Sequence, residues 1–312
     1  MSDIPSIMSE DSKLMKQAIK YGSVTTVKIL KRERGIPWDR EMATEAIRSG
    51  SLDMVKCMME YGCVFDSCEE AVKSRNGAMI KFLRGNCVEW GEDTMFWPAS
   101  DGDLIVVEWL RNFDPPCPWD DDVFALAVGS GNKTLVEWMI ENGCPQSPKA
   151  CASAACHNNF KMLKFLREKN VDWDASTCAD AAESGNLEIL KWARENGCEW
   201  DERTCSGAAI SGNLRMLKWA RKNGCPWDKT TCSQGSIPSG NIPLLTWARR
   251  KGCEWDERCY IEAIISTEMK GADKICLFEW LRQNGCPYTT LVLREARAYG
   301  WGAWFESNFN WK

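Results

Sequence analysis

Seventeen cysteines and one histidine, His157, are the residues of this 312-residue chain best equipped for chemistry. A thiolate nucleophile needs a basic neighbour, and a zinc site needs convergent ligands, commonly cysteines two to four apart. The recurring pairs Cys198/Cys205 and Cys225/Cys232 are seven apart, with no partner pair at finger spacing. A Ser-His-Asp or Cys-His site can form only around His157, which falls where other segments carry the Ser of Ser-Gly-Asn, at a solvent-facing turn. There is no G-x-G-x-x-G after a strand, no P-loop, no H-E-x-x-H and no EF-hand loop. Carboxylates recur one per segment and read as caps, not as a facing acid–base pair. The sequence therefore predicts no catalytic residues, no metal and no cofactor. Trp173-Asp174, Trp200-Asp201, Trp227-Asp228 and Trp255-Asp256 admit two readings. The rings form a ladder for stacking bases or sugars, or they cover loops while each Asp caps the helix that follows.

The elements that must position these residues come from a repeat. The run from Ser184 to Asp201 returns almost unchanged from Ser211 to Asp228. Cys151, Cys178, Cys205, Cys232 and Cys259 are 27 residues apart. Trp138, Phe165, Trp192, Trp219, Trp247 and Trp280 advance by 27, 27, 27, 28 and 33. Gly197, Gly224, Gly252 and Gly285 are each followed by Cys, and the pattern persists upstream with wear. Self-similarity at a short period means that each unit must bury its apolar face on its neighbours. Ten modules and a degenerate eleventh fill the chain.

Within a module, Asp201 can cap a short helix bearing Cys205, Ala208 and Ala209, which Gly212 ends. Asn213 can cap a second helix, with Leu214, Met216, Leu217, Trp219 and Ala220 on one stripe. Lys218, Arg221 and Lys222 lie toward its C-terminus, where cations suit the helix dipole, and Gly224 stops it. Each module thus reads as helix, tight turn, helix, short loop.

Ala208-Ala209-Ile210-Ser211-Gly212-Asn213 and Gly224-Cys225 resemble the A-A-x-x-G-H and G-A segments of ankyrin repeats, and the resemblance covers nearly the whole chain. It departs from them systematically. Cys205 stands for a Leu, Ser206 for a His, Arg194 or Arg221 for a usual Leu, and the period is about 27 instead of 33. Too few residues separate Gly197 from the next helix for a hairpin. The shortened, Trp-Asp-rich form is similar to arrays of giant viruses, algae and other protists. The resemblance implies an all-α, ankyrin-like solenoid of about 10–11 modules with short loops and little or no β-hairpin. Its expected parts are an N-terminal segment (1–12), the array (13–288), and a degenerate last repeat with an aromatic cap (289–312). Trp301, Trp304, Phe305, Phe309 and Trp311 either close the last core layer or form an interface.

A net charge of −5 gives no general drive toward nucleic acid or an anionic membrane. Lys191, Arg194, Lys218, Arg221, Arg249 and Arg250 nevertheless recur on the second helix. They complement the dipole on a solvated face, or they merge into a basic stripe for an acidic partner. No apolar run approaches the ~20 residues of a membrane span, and the start lacks a signal-peptide pattern, so a cytoplasmic or nuclear location is expected. The breaks at Asn112–Pro116, Ile237-Pro238 with Pro243, and Thr267–Asp273 mark loops that drift or bind.

The resulting expectation is a non-catalytic module binding a protein partner on the concave face of its first helices. In a viral or parasitic setting that partner would be a host protein. No small-molecule substrate is expected. The candidate contact residues are Lys149, Ala152, Ser153, Asp180, Arg203, Ser206, Gly207, Ile210, Gln234, Tyr260 and Ile261. The alternatives are a structural part of a larger assembly, or nucleic-acid binding through the basic second-helix face.

Overall fold

Asp before one helix and Asn before the next set the module boundaries, and both act through their side chains. Asp39, Asp120, Asp174, Asp201, Asp228 and Asp256 accept a backbone N–H two or three residues on. Asn159, Asn186, Asn213 and Asn241 do the same for the amides of Met162, Ile189, Met216 and Leu244, at 3.0–3.1 Å. Each cap satisfies a donor that the helix itself cannot. Between the two helices the backbone turns through the left-handed region, at Gly212 with φ 65°. In one module Asn158 does this instead (φ 56°), a conformation that Asn tolerates better than most residues.

The computed structural model describes residues 4–238 and 240–311, with side chains from residue 10 onward. Among these residues there are eleven helix pairs in sequence order and no strand, making the chain an all-α helical-repeat solenoid. The missing hairpin follows from the short period. No helix among the described residues is long and apolar enough to cross a membrane.

The chain divides into two compact units, Met1–Trp119 and Asp120–Lys312. The first carries the worn modules. Two of its first helices, Glu69–Lys73 and Phe96–Ser100, last five residues. The Asn112–Pro116 break packs on its own unit: Phe113 sits edge-on to Trp90 and Trp109, with centroids 5.3 and 4.8 Å apart.

The second unit carries the regular modules. Their first helices, such as Ala175–Glu183 and Glu202–Ile210, pack directly on one another. Their small residues permit it. A Cβ on Gly207 would stand 2.8 Å from the Ala179 carbonyl oxygen, and one on Gly235 would stand 2.5 Å from the Ala209 Cβ. Serines tie neighbouring modules together: Ser184 and Ser211 hydroxyls donate to the carbonyls of Ala155 and Ala182, at 3.1 and 2.9 Å.

Two irregularities have local explanations. The step of 28 adds one residue to the first helix of its module, and Thr231–Ser236 absorbs it as a π-helix. In the step of 33, the longer turn that the sequence suggested is present at residues 266–270, and the second helix is lengthened as well, Gly271–Gln283 of 13 residues. Lys274 is buried there and donates to the Ile264 carbonyl at 2.7 Å, which satisfies both groups. Its ammonium pKa is lowered by that burial.

The C-terminal aromatics complete the last core layer. Phe305 and Phe309 are buried, stacked at 5.1 Å, and cover Tyr260 at 5.9 and 5.4 Å. Trp301, Trp304 and Trp311 pack around the same cluster.

Candidate functional site

Most conspicuous residues are occupied with holding the repeat together. Cys151, Cys178, Cys205, Cys232 and Cys259 are all fully buried, and all seventeen cysteines are free thiols. The thiols of Cys178 and Cys205 neighbour those of Cys198 and Cys225 of the same module, rather than forming the seven-apart pairs seen along the sequence. Burial pushes the Cys117 and Cys151 thiols up to about 12, so they remain protonated and are poor nucleophiles or metal ligands. Cys198, Cys225 and Cys253 lie 3.2–3.4 Å from the carbonyls of Asp174, Asp201 and Asp228, one module back. His157 is exposed at a helix end, its Nδ1 donating to the Ser153 carbonyl at 2.9 Å.

The Trp-Asp pairs belong to a recurring clip. In four consecutive modules one Arg of the second helix reaches forward to the loop that follows. The guanidinium groups of Arg167, Arg194, Arg221 and Arg249 donate to the carbonyls of Val171, Cys198, Cys225 and Cys253. The same groups cover the loop rings of Trp173, Trp200, Trp227 and Trp255 at 4.2–4.4 Å. Each ring also meets the second-helix ring of the next module edge-on. The pairs Trp173–Trp192, Trp200–Trp219, Trp227–Trp247 and Trp255–Trp280 lie 5.7–6.0 Å apart. Trp219, on the stripe expected to face the core, and its counterpart Trp192 are half-buried at these contacts.

The candidate contact residues separate into two groups. Ala152, Ser206, Gly207 and Tyr260 are buried, which corrects the expectation that they lie exposed on the first helices. Ser206 is 9% exposed, and its hydroxyl shares a 2.8 Å hydrogen bond with Thr230 of the next module. Gly207 lies where helix backbones touch, and Tyr260 lies under the aromatic cap. Lys149, Arg203, Ile210 and Gln234 are exposed, while Ser153, Asp180 and Ile261 are partly buried. Lys149 pairs with Asp121 and Asp122 at 3.1 and 2.5 Å, so that acidic cluster already has its counter-charge. Arg203 pairs with Asp201 at 2.7 Å. Burial first, then the charge of Glu183, raises the Asp180 carboxyl to about 6.

Sequence reasoning placed Lys218, Arg221 and Lys222 on the basic second helix but missed the local cluster they form with Lys251. Lys218, Arg221, Lys222 and Trp227 of one module and Trp247 and Lys251 of the next line an open groove of about 310 Å³. Among the described residues none of the four cations is ion-paired. The signal was present at Lys251, which stands where neighbouring modules carry Asn196, Asn223 and Asn284.

The architecture defines a helical-repeat solenoid. No family model matches the sequence, and no curated protein matches it. Among solved structures the chain is similar to the pentatricopeptide repeat protein PPR10 from maize, at TM-score 0.39 and 11% identity over 99% of this chain and 50% of that one. It is also similar to PPR10 in complex with an 18-nt psaJ RNA element, at TM-score 0.32 and 11% identity over 97% and 55%. The chain spans about half the length of these structures. Nothing in these comparisons supports ankyrin repeats in particular, or a viral or protist source.

Proposed function

We propose that this chain is a non-catalytic binding scaffold, and that it holds a protein partner along the outward side of the first helices in its second unit. One observation carries the reading. Residues that recur from module to module are spent on caps, clips and core, whereas the exposed first-helix positions differ in every module. The exposed position near the end of the first helix is Cys156, Glu183 and Ile210 in consecutive modules, and Ile210 leaves an apolar side chain 43% exposed; Lys149, Arg203 and Gln234 are exposed elsewhere on these helices. The interlocked backbones at Gly207 and Gly235 hold these side chains in one register, which lowers the ordering cost of binding. Small first helices set close together, beside second helices separated by Trp rings, favour this as the inner face of the unit.

The test is affinity purification with mass spectrometry, run on the wild type and on an Ile210→Asp, Gln234→Arg variant. These are surface changes and should leave the melting temperature nearly unchanged. The expected result is a protein set retained by the wild type and lost by the variant. Equal recovery from both, or recovery abolished by RNase treatment, would overturn the reading.

A further inference from the structure

The groove between the second helices Leu214–Lys222 and Ile242–Arg250 is the place where the repeat departs from its own rules without a structural return. The Arg–Trp clip needs only Arg221 and Trp227, and the same clip forms at Arg194 and Arg249. Lys222 and Lys251 are additions to it. The position of Lys222 is Glu195 one module earlier and Glu168 two modules earlier. At the position of Lys251, Asn196, Asn223 and Asn284 each donate Nδ2 to the carbonyl of Trp192, Trp219 and Trp280, at 2.8 Å. Lysine gives up that helix-closing bond and brings a charge.

A second comparison within the chain shows what the charge faces. The positions held here by Lys218 and Lys251 are held three modules earlier by Glu137 and Lys169, which form an ion pair at 3.0 Å. The repeat therefore brings these two positions within reach of each other. In this groove both are lysines, with Lys222 and the Arg221 guanidinium beside them and no carboxylate paired to any of the four. Like charges so placed repel, and an anion seated between them removes the repulsion.

We infer that this groove is an anion site for a compact, densely charged ligand bearing adjacent phosphates, of the free polyphosphate type. Three features select that class. The corresponding grooves on either side contain Lys191, Arg194 and Glu195, or Thr246, Arg249 and Arg250, two cations each against four here, so the charge peaks in this groove. Each indole already has a cation over one face: Arg221 covers Trp227 at 4.2 Å, and Lys218 stands 5.9 Å over Trp247. Four cations around one small groove also exceed what the well-spaced carboxylates of an acidic peptide would match.

The chain itself supplies the test variants, because Lys222→Glu and Lys251→Asn restore residues that the repeat uses at the same positions. Inorganic tripolyphosphate is titrated into the full chain by calorimetry at about 50 mM salt, where screening is moderate. Wild type is expected to bind it and each variant to bind about tenfold more weakly or worse, the loss of one charge-assisted contact. Tripolyphosphate should raise the melting temperature of the wild type and leave Lys251→Asn unmoved. Without ligand, Lys251→Asn should melt above the wild type, since it removes the repulsion and regains the Asn bond. The exposed Lys161→Ala serves as control and should bind as the wild type does. Absent binding, or equal binding by wild type and both revertants, overturns the inference. So does a single-stranded oligonucleotide or a poly-glutamate peptide that binds the groove and that tripolyphosphate fails to displace.

Discussion

Asp180 shows how burial in a row of small residues changes an ordinary side chain. It sits on the first helix Ala175–Glu183, half-buried, with Glu183 one turn on and Arg203 in the next module. Its carboxyl is raised to about 6, above the usual value near 4 for an unfolded Asp. Between about pH 4 and pH 6 the folded chain therefore holds a proton that the unfolded chain has lost. Stability from this site falls as pH rises through that window, and the full penalty stands above it. Asp180→Asn keeps the shape and removes the charge. It should raise the melting temperature at pH 7.5, and the difference from wild type should shrink to nothing by about pH 4. A scanning-fluorimetry series in which the difference is flat, or grows toward acid, would contradict this account. Tyr260 illustrates the other limit of burial at this scale. Its phenol is enclosed by Phe305 and Phe309, and its hydroxyl has no partner among the described residues.

At the scale of the helix, most of the organisation was legible in the sequence. Asp201 and Asn213 announce helix starts, Gly212 and Gly224 announce stops, and the 27-residue recurrence counts the modules. How far burial extends around the first helix was not legible, although Cys205, Ala208 and Ala209 read correctly as its apolar positions. Hydropathy reads Ser206 and Gly207 as surface, but two backbones approach there so closely that only small residues fit. That is information about the neighbour, absent from any one module. Tyr260 was misread for a similar reason, because the residues covering it lie more than forty positions downstream. The Arg–Trp clip was readable in principle, since each Arg precedes its Trp by six residues in module after module. Two glycines can separate close approach from helix propensity. Gly207→Ala places a methyl against the Ala179 carbonyl and the Glu183 amide, and should cost about 1–3 kcal/mol despite better propensity. Gly85→Ala, at a helix position with open space around it, should gain about 0.5–1 kcal/mol. Urea denaturation measures both; a stabilised Gly207→Ala would show that the helices are not in backbone contact.

Over the whole molecule, the thiols provide a spatial record of packing. Fourteen of the seventeen are buried, in both units, and only Cys87, Cys156 and Cys276 are exposed. Native protein treated briefly with a maleimide should therefore gain three labels by mass spectrometry, and unfolded protein seventeen. Rapid native labelling of Cys205 or Cys232 would mean that the central modules open readily. Because each module contacts mainly its neighbours, later labels should arrive in groups that follow chain order.

The π-helix at Thr231–Ser236 matters in a way that concerns length rather than binding. An extra residue in an ordinary α-helix rotates everything after it by about 100°. The following Asn would then miss its cap, and the next apolar stripe would face water. Here the surplus is taken up by widening a single turn. Asn241 still caps Leu244, and Leu244, Leu245 and Ala248 still point into the core. The array behaves as a ruler that tolerates one oversized division because the marks on either side keep their phase. A one-residue insertion at this point of a module is thereby contained within it, so a copy can lengthen without desynchronising its neighbours.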